Sequence, residues 1–250
     1  MGINLEFAAT LAEIRGTLPD HMSVMELGAQ DISADPYAVA TLLSDMGIFD
    51  TGPIKTAAEL YQRVGCGSYD AIDINGGGGN VHCFDLNRDI QLEYNFFRTF
   101  DLVTNLGTLE HCFDQASGFR NMHRLTKPGG IMIHCLPSQG LVNHAFYNYH
   151  PRLVAELAKV NSYEIRMVFF TADFTANRIS YTIDNFRAHD SRDVLVYAVL
   201  KKTNDTNFKM PSDSMFTNRE EVMAGAFRPY VKAPWSNILA QGSSDEVKAQ

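Results

Sequence analysis

The strand-like, largely apolar pattern at positions 100–106, followed at once by small and polar residues, is the feature of this sequence that most restricts its fold. Residues 107–111 read Gly-Thr-Leu-Glu-His, and residues 125–130 read Leu-Thr-Lys-Pro-Gly-Gly before a second apolar run at 131–136. A short continuous apolar run is typical of a strand that is buried on both faces of a parallel sheet. Ligands in open α/β sheets bind beyond the carboxyl ends of the strands, so the sequence predicts a functional crevice at residues 105–111.

Strand and helix patterns alternate along most of the chain. Strands are predicted at 23–28, 69–74, 81–85, 101–105 and 131–136, and helices at 4–16, 36–46, 56–64, 117–125 and 151–160. Two further strands, at 163–171 and 194–201, are expected to pair as an antiparallel edge. Alternation of this kind implies a parallel sheet with right-handed crossovers. We therefore predict an α/β fold with a doubly wound, seven-stranded, mostly parallel sheet and an antiparallel edge strand.

The domain organisation follows from where these patterns stop. Residues 1–202 are expected to form one α/β domain with an insertion around 33–66, which is long enough for two helices. Residues 203–250 form a partly irregular C-terminal extension, with a short helix at 219–224 and a disordered end from Gln241. The apolar segment at 227–235 could cover the domain as a lid or form a homodimer contact, and the sequence leaves both open.

Composition excludes several classes of function. The formal net charge of −8 at pH 7 and the pI near 5.4 argue against broad binding to nucleic acid or to anionic membranes, and they favour a small molecule or a neutral polymer as substrate. No run reaches the roughly twenty apolar residues that a membrane span needs, and the first residues lack a basic signal region, so a cytoplasmic protein is expected. The four cysteines have no C-x-x-C spacing, which is typical of reduced thiols.

Acidic residues and glycines recur where the predicted strands end. They are Glu26 and Gly28 after the first strand, Asp73 after the second, Asp85 with Leu86 after the third, and Asn105 with Gly107 after the fourth. Together with the Leu-Thr-Lys-Pro-Gly-Gly turn at 125–130, this series resembles the motifs of class I S-adenosylmethionine-dependent methyltransferases, over roughly residues 20–200. The resemblance implies a Rossmann-like methyltransferase fold, a methyltransferase activity and S-adenosylmethionine as the cofactor.

The resemblance also implies a role for each of these positions. In that family an acidic residue precedes the first glycine, and Glu26 with Gly28 matches this pattern. Asp73 matches the carboxylate that accepts hydrogen bonds from both ribose hydroxyls, for which its two oxygens are suited. Asp85 and the backbone of Leu86 match the adenine site. The turn that contains Asn105 and Gly107 matches the segment that frames the methionine part of the cofactor.

The acceptor is expected at residues 138–151, a dense cluster of polar and aromatic residues after the fifth strand. A base must remove the proton of an acceptor hydroxyl, and His111, His144 and His150 are the candidates. The rings of Phe146, Tyr147 and Tyr149 could stack on a sugar face or shield a sulfonium group from water. These features favour O-methylation of a small-molecule or carbohydrate acceptor. Glu110 has two interpretations, a catalytic group or a cap at the start of a helix.

Three His-Cys dipeptides near strand ends suggest zinc, at 82–83, 111–112 and 134–135. Neighbours in a strand point to opposite faces, so each pair could offer one ligand to one side, and we predict no metal.

Two other functions stay open. Gly28 is followed by Ala29, Gln30 and Asp31 where the family usually has further glycines, which favours a non-catalytic binding or scaffold protein of the same fold. A nicotinamide-dependent oxidoreductase is disfavoured because G-x-G-x-x-G is missing. Tyr197 and Lys201 have the Tyr-x-x-x-Lys spacing of such enzymes, but in a strand they would stand roughly 13 Å apart at about 3.3 Å per residue.

Overall fold

The computed structural model describes residues 2–49, 52–172, 177–180 and 193–213. The strands are β1 (Met22–Leu27), β2 (Cys66–Ile72), β3 (Val81–His82), β4 (Phe100–Leu106), β5 (Thr126–Gln139), β6 (Tyr163–Ala172), β7 (Arg178–Ser180) and β8 (Val194–Lys202). The helices are α1 (Leu5–Ile14), α2 (Pro36–Asp45), α3 (Ala57–Arg63), α4 (Ile90–Tyr94), α5 (Gln115–Leu125) and α6 (Pro151–Asn161). Each helix and strand predicted between residues 4 and 201 is present. β3 is shorter and β5 longer than predicted, and α4 and β7 are additional.

The strands form a sheet in the order β3-β2-β1-β4-β5-β8-β6-β7. Strands β1 to β5 are parallel, whereas β8 is antiparallel to β5 and β6, and β7 is antiparallel to β6. The prediction of a mostly parallel sheet with an antiparallel edge strand is therefore confirmed. The described residues contain eight strands instead of seven, because β7 pairs along the outer edge of β6. The strand predicted at 194–201 lies between β5 and β6 and not at the edge.

Helices cover both faces of this sheet. On one face, α1, α2 and α3 pack against strand residues such as Leu102 and Val199. On the other face, α4, α5 and α6 pack against the neighbouring strand residues, such as Val103 and Ala198. Both faces of the central strands are therefore buried, which explains why apolar residues stand next to one another in these strands instead of alternating with polar ones.

The insertion predicted at residues 33–66 contains α2 and α3. The Asp35 side chain caps the start of α2, and Thr56 with Glu59 forms a capping box at the start of α3. Caps of this kind satisfy backbone N–H groups that have no partner within the helix. Tyr61 of α3 is fully buried, and its hydroxyl contacts Glu26 near the end of β1. The insertion is thus part of the core and also reaches the carboxyl end of the sheet.

Several predictions fall on residues outside the described ranges. They are the helix at 219–224, the apolar segment at 227–235 and the disordered end from Gln241. Within the described ranges, no helix combines the length and the apolar character needed to cross a membrane. All four cysteines lie within these ranges and are free thiols, as expected.

The carboxyl ends of β1, β2 and β4 meet at one edge of the sheet. Leu27 at the end of β1 pairs with Ile72 of β2 on one side and with Asn105 of β4 on the other. The chain continues from β1 outward to β2 and β3, and it then returns to β4 and β5 on the opposite side. This reversal of strand order opens a crevice at which doubly wound sheets bind their ligands.

Candidate functional site

A cleft of about 260 Å³ opens at this reversal point. The predicted site residues that contribute to its wall are Gly28, Asp73, Asp85, Leu86, Gly107 and His111. The predicted site residues that do not line it are Glu26, Asn105, His144 and His150. The structure therefore brings the residues after β1, β2, β3 and β4 together around one space, although they are far apart in the sequence.

The loop after β1 is held close to the turn after β4. Gly28 has φ +75°, and a Cβ atom there would lie 2.3 Å from Oγ1 of Thr108. The Thr108 hydroxyl donates a hydrogen bond of 2.6 Å to the carbonyl of Leu27. The side-chain amide of Gln30 donates to the carbonyl of Gly28 at 3.1 Å and lies 3.3 Å from the Thr108 hydroxyl. The loop is therefore ordered by side chains, without the additional glycines that the family pattern suggests.

Glu26 lies behind this loop and is completely buried. Its carboxylate accepts hydrogen bonds from the Tyr69 hydroxyl at 2.7 Å, the Tyr61 hydroxyl at 2.9 Å and the Gln30 backbone N–H at 3.0 Å. Burial raises the pKa of Glu26 to about 7, although these three hydrogen bonds act in the opposite direction. The structure gives Glu26 a part in positioning the loop and places it outside the wall of the cleft.

Asp73 follows β2 directly and lines the cleft. One carboxylate oxygen accepts a hydrogen bond from the backbone N–H of Asn75 at 2.9 Å, and the other accepts one from Ala29 at 3.2 Å. A carboxylate has about four acceptor positions, so these two contacts leave capacity on both oxygens for a ligand. The contacts also fix the orientation of the side chain, which suits it to bind a diol.

Asp85 and Leu86 form the neighbouring part of the wall. The Asp85 carboxylate accepts hydrogen bonds from the backbone and side-chain amides of Asn87 at 2.9 and 2.8 Å. The backbone N–H of Asp85 donates to the Tyr94 hydroxyl, whose ring stacks on Phe84 at 4.2 Å. This part of the cleft therefore combines apolar side chains with hydrogen-bonding groups, a combination typical of small-ligand sites.

Asn105, near the end of β4, and Gly107, just after it, have different roles. The Asn105 side chain is completely buried, where its oxygen accepts the Leu109 N–H at 3.1 Å and its amide lies 3.2 Å from Nδ1 of His134. The Asn105 oxygen already accepts a hydrogen bond, so the side-chain amide donates to Nδ1 of His134. Burial lowers the pKa of His134 to about 4. Asn105 therefore positions the turn after β4, and Gly107, with φ +77°, is the residue of this turn that reaches the cleft.

A cluster of Glu110, His111 and His144 lies beside the cleft. Glu110 and His111 belong to the short 3₁₀ turn Leu109–His111, and His144 comes from the segment after β5. Nε2 of His144 is 3.7 Å from a Glu110 oxygen, and the rings of His111 and His144 are 5.0 Å apart. Burial raises the pKa of Glu110 to about 7, and burial together with His144 lowers the pKa of His111. His111 is the member of this cluster that lines the cleft.

The other predicted acceptor residues are spread over two environments. His150 is exposed at the start of α6, and Tyr149 is buried with its hydroxyl donating to Gln115. Phe146 is 69% exposed and its ring lies 6.3 Å from that of Phe113, which is 76% exposed. The Tyr147 hydroxyl donates to the Phe113 carbonyl at 3.1 Å, which connects the segment after β5 to the turn after β4.

Nine residues of the wall were absent from the predicted site, and among them are Gln30, Asn87, Thr108 and Cys112. Asn87 and Thr108 are adjacent to predicted motifs, so their position in the sequence could have indicated them. The position of Gln30 in the sequence could not have indicated it, because the family usually has a glycine there and a larger side chain suggests weaker cofactor binding. Gln30 contributes by bridging the loops after β1 and β4, and that depends on the distance between them.

The chain is similar to a known protein family and to several solved structures. A family model described as a methyltransferase domain matches residues 3–173. The structure is similar to that of a 1,6-didemethyltoxoflavin-N1-methyltransferase from Burkholderia thailandensis with bound 1,6-didemethyltoxoflavin and S-adenosylhomocysteine, at 14% identity over 80% of this chain and 78% of that chain, with a TM-score of 0.47. It is also similar to the N-methyltransferase NodS from Bradyrhizobium japonicum WM9 with S-adenosylhomocysteine, at 10% identity over 80% and 86%, with a TM-score of 0.46. No curated protein sequence matches the chain.

Proposed function

We propose that this chain, which belongs to the methyltransferase domain family and is an S-adenosylmethionine-dependent methyltransferase, methylates a hydroxyl oxygen of a small-molecule or carbohydrate acceptor. The observation that carries the proposal is the position of His111, with Glu110 and His144 behind it, at the wall of the cleft that Asp73 also lines. A hydroxyl must lose its proton to become a good nucleophile, whereas a neutral amine can attack directly. Proton-accepting groups beside the cleft therefore favour an oxygen acceptor.

The cleft has the groups that the cofactor requires. S-adenosylmethionine supplies, when bound, an electrophilic methyl group on its sulfonium centre. In this proposal, Asp73 accepts hydrogen bonds from the ribose hydroxyls with the acceptor positions that Asn75 and Ala29 leave unused. Asp85 and Leu86 hold the adenine, and the missing side chains of Gly28 and Gly107 allow the backbone to approach the ligand closely.

The acceptor contacts the side of the cleft formed by His111 and the segment after β5. The exposed rings of Phe113 and Phe146 offer an apolar surface on which a sugar or an aromatic ring can stack. The Glu110–His111–His144 cluster activates the hydroxyl of the bound acceptor. Holding the acceptor in one orientation accounts for much of the acceleration in reactions of this type. We assign cofactor binding and methyl transfer to a domain at residues 1–202, which a C-terminal extension at 203–250 follows.

Matched pairs of acceptors test the proposed oxygen specificity. The purified chain is incubated with methyl-labelled S-adenosylmethionine and with ring compounds that differ only in carrying a hydroxyl or an amine, both aromatic and carbohydrate. We expect label in the methoxy product and little label in the corresponding methylamine. Label confined to the amines would refute O-methylation. An Asp73→Asn variant, which should bind the cofactor weakly, controls for a contaminating enzyme.

A further inference from the structure

The Glu110–His111–His144 cluster has the composition and spacing of a metal site. One ligand atom from each residue lies within 4.8 Å of the other two, and the Glu110 oxygen and Nε2 of His144 are 3.7 Å apart. Two ligands that are each about 2.0–2.1 Å from a tetrahedral ion stand about 3.4 Å apart. The Glu110–His144 distance is slightly wider than this, and the cluster as a whole, at up to 4.8 Å, would have to contract by side-chain rotation to bring all three ligands to bonding distance.

A second observation concerns the environment of Glu110. Its side chain is 0% exposed, and neither carboxylate oxygen has a hydrogen-bond partner in the part of the chain that the structure describes. Nε2 of His144 also lacks a hydrogen bond to any described residue. Burying polar atoms without partners is costly, and buried carboxylates are normally paired with a cation or bound to a metal. These atoms all belong to one cluster, which indicates a cation as the common partner.

We infer that Glu110, His111 and His144 bind one divalent transition-metal ion at the edge of the cleft. Two imidazole nitrogens and one carboxylate oxygen are ligands that zinc and neighbouring first-row metals accept, whereas magnesium and calcium prefer oxygen ligands alone. The sequence analysis considered zinc at the His-Cys dipeptides and predicted no metal, and the proposed site differs from those dipeptides because the cysteine next to His111 is not part of this cluster. The site is formed instead by a strand-end turn and a segment more than thirty residues away in the sequence.

The ion gives the cluster a defined part in the reaction, and this step rests on the proposed function. Three protein ligands leave a coordination position open, as in catalytic zinc sites. His111 lines the cleft, which places the cluster at its edge, next to the proposed acceptor side. Coordination would lower the pKa of the acceptor hydroxyl, whose proton would then pass to water and not to one of the three ligands. The acceptor oxygen would bond to the methyl carbon while the carbon–sulfur bond of S-adenosylmethionine breaks and S-adenosylhomocysteine leaves. The metal ion would thus be the means by which the cluster activates an acceptor oxygen.

Metal binding is measured without cofactor or acceptor, so that it is independent of activity. Metal-free protein is titrated with Zn²⁺ in competition with a chromophoric chelator, and with Co²⁺ while its visible absorption is recorded. The variants are Glu110→Gln, which keeps the shape of the side chain, and His144→Ala. His150→Ala is the matched control, because His150 is exposed and lies outside the cluster. Circular dichroism and titration with S-adenosylhomocysteine verify that each variant is folded.

We expect one Zn²⁺ per chain, a visible Co²⁺ spectrum, and at least a tenfold loss of affinity in both cluster variants. His150→Ala should bind Zn²⁺ like the wild type, and Mg²⁺ should not compete. Binding that is equally strong in Glu110→Gln and His144→Ala, or lost in His150→Ala, would overturn the inference. Zinc binding as expected, together with methylation of amines only, would refute the proposed oxygen specificity and leave the metal site intact.

Discussion

Replacing Glu26 by Gln should remove a pH dependence from the stability of this protein. Glu26 is completely buried and its pKa is raised from 4.5 to about 7, so the folded state binds a proton more tightly than the unfolded state. The stability from this group is fully present below pH 4.5 and is lost as the pH rises through 7. The difference between the two pKa values corresponds to about 3 kcal/mol, most of which disappears between pH 5 and pH 7.

The measurement is urea unfolding of the wild type and of Glu26→Gln at intervals between pH 5 and pH 8. Contributions from other titrating groups are common to both proteins and cancel in the difference. Stability of the variant relative to the wild type should therefore rise by about 2–3 kcal/mol across this range. Glu93→Gln, a change at an exposed carboxylate, should give a profile parallel to that of the wild type. Parallel profiles for Glu26→Gln as well would show that the carboxyl is ionised in the folded protein at pH 5.

Three further substitutions test the cleft and the insertion. Asp73→Asn should weaken S-adenosylhomocysteine binding about tenfold to a hundredfold in calorimetric titration, because it removes charge-assisted hydrogen bonds; unchanged affinity would exclude Asp73 from the ribose site. Gly28→Ala should cost about 1–3 kcal/mol in urea unfolding and should weaken the same ligand, because φ is +75° and the new Cβ would clash with Thr108; a variant as stable as the wild type would contradict this geometry. Thr56→Ala should lower the free energy of unfolding by about 1 kcal/mol, since it removes a helix cap. It should leave ligand affinity unchanged because Thr56 does not line the cleft, and a loss of ligand affinity would show that the insertion is coupled to the site.

Some of the predicted site residues line the cleft and others do not. Gly28, Asp73 and Gly107 were predicted from the resemblance of the residues after the strands to methyltransferase motifs, and the structure places all three at the cleft. Glu26 and Asn105 belong to the same motifs, yet they do not line the cleft and their side chains hold the loops that form it. A strand end specifies where a residue is, but the direction of its side chain depends on the elements packed around it.

The sequence by itself determined the order of the strands and helices, except for α4 and β7, and the crevice at the carboxyl ends of the parallel strands. These features depend on hydrophobic periodicity and turn residues, which act between near neighbours in the chain. Only the tertiary structure decided that β8 lies between β5 and β6, that Tyr61 reaches Glu26, and that His144 lies beside Glu110. Each of these contacts joins distant segments, and their distances are set by packing across the whole sheet, which no local pattern of residues encodes.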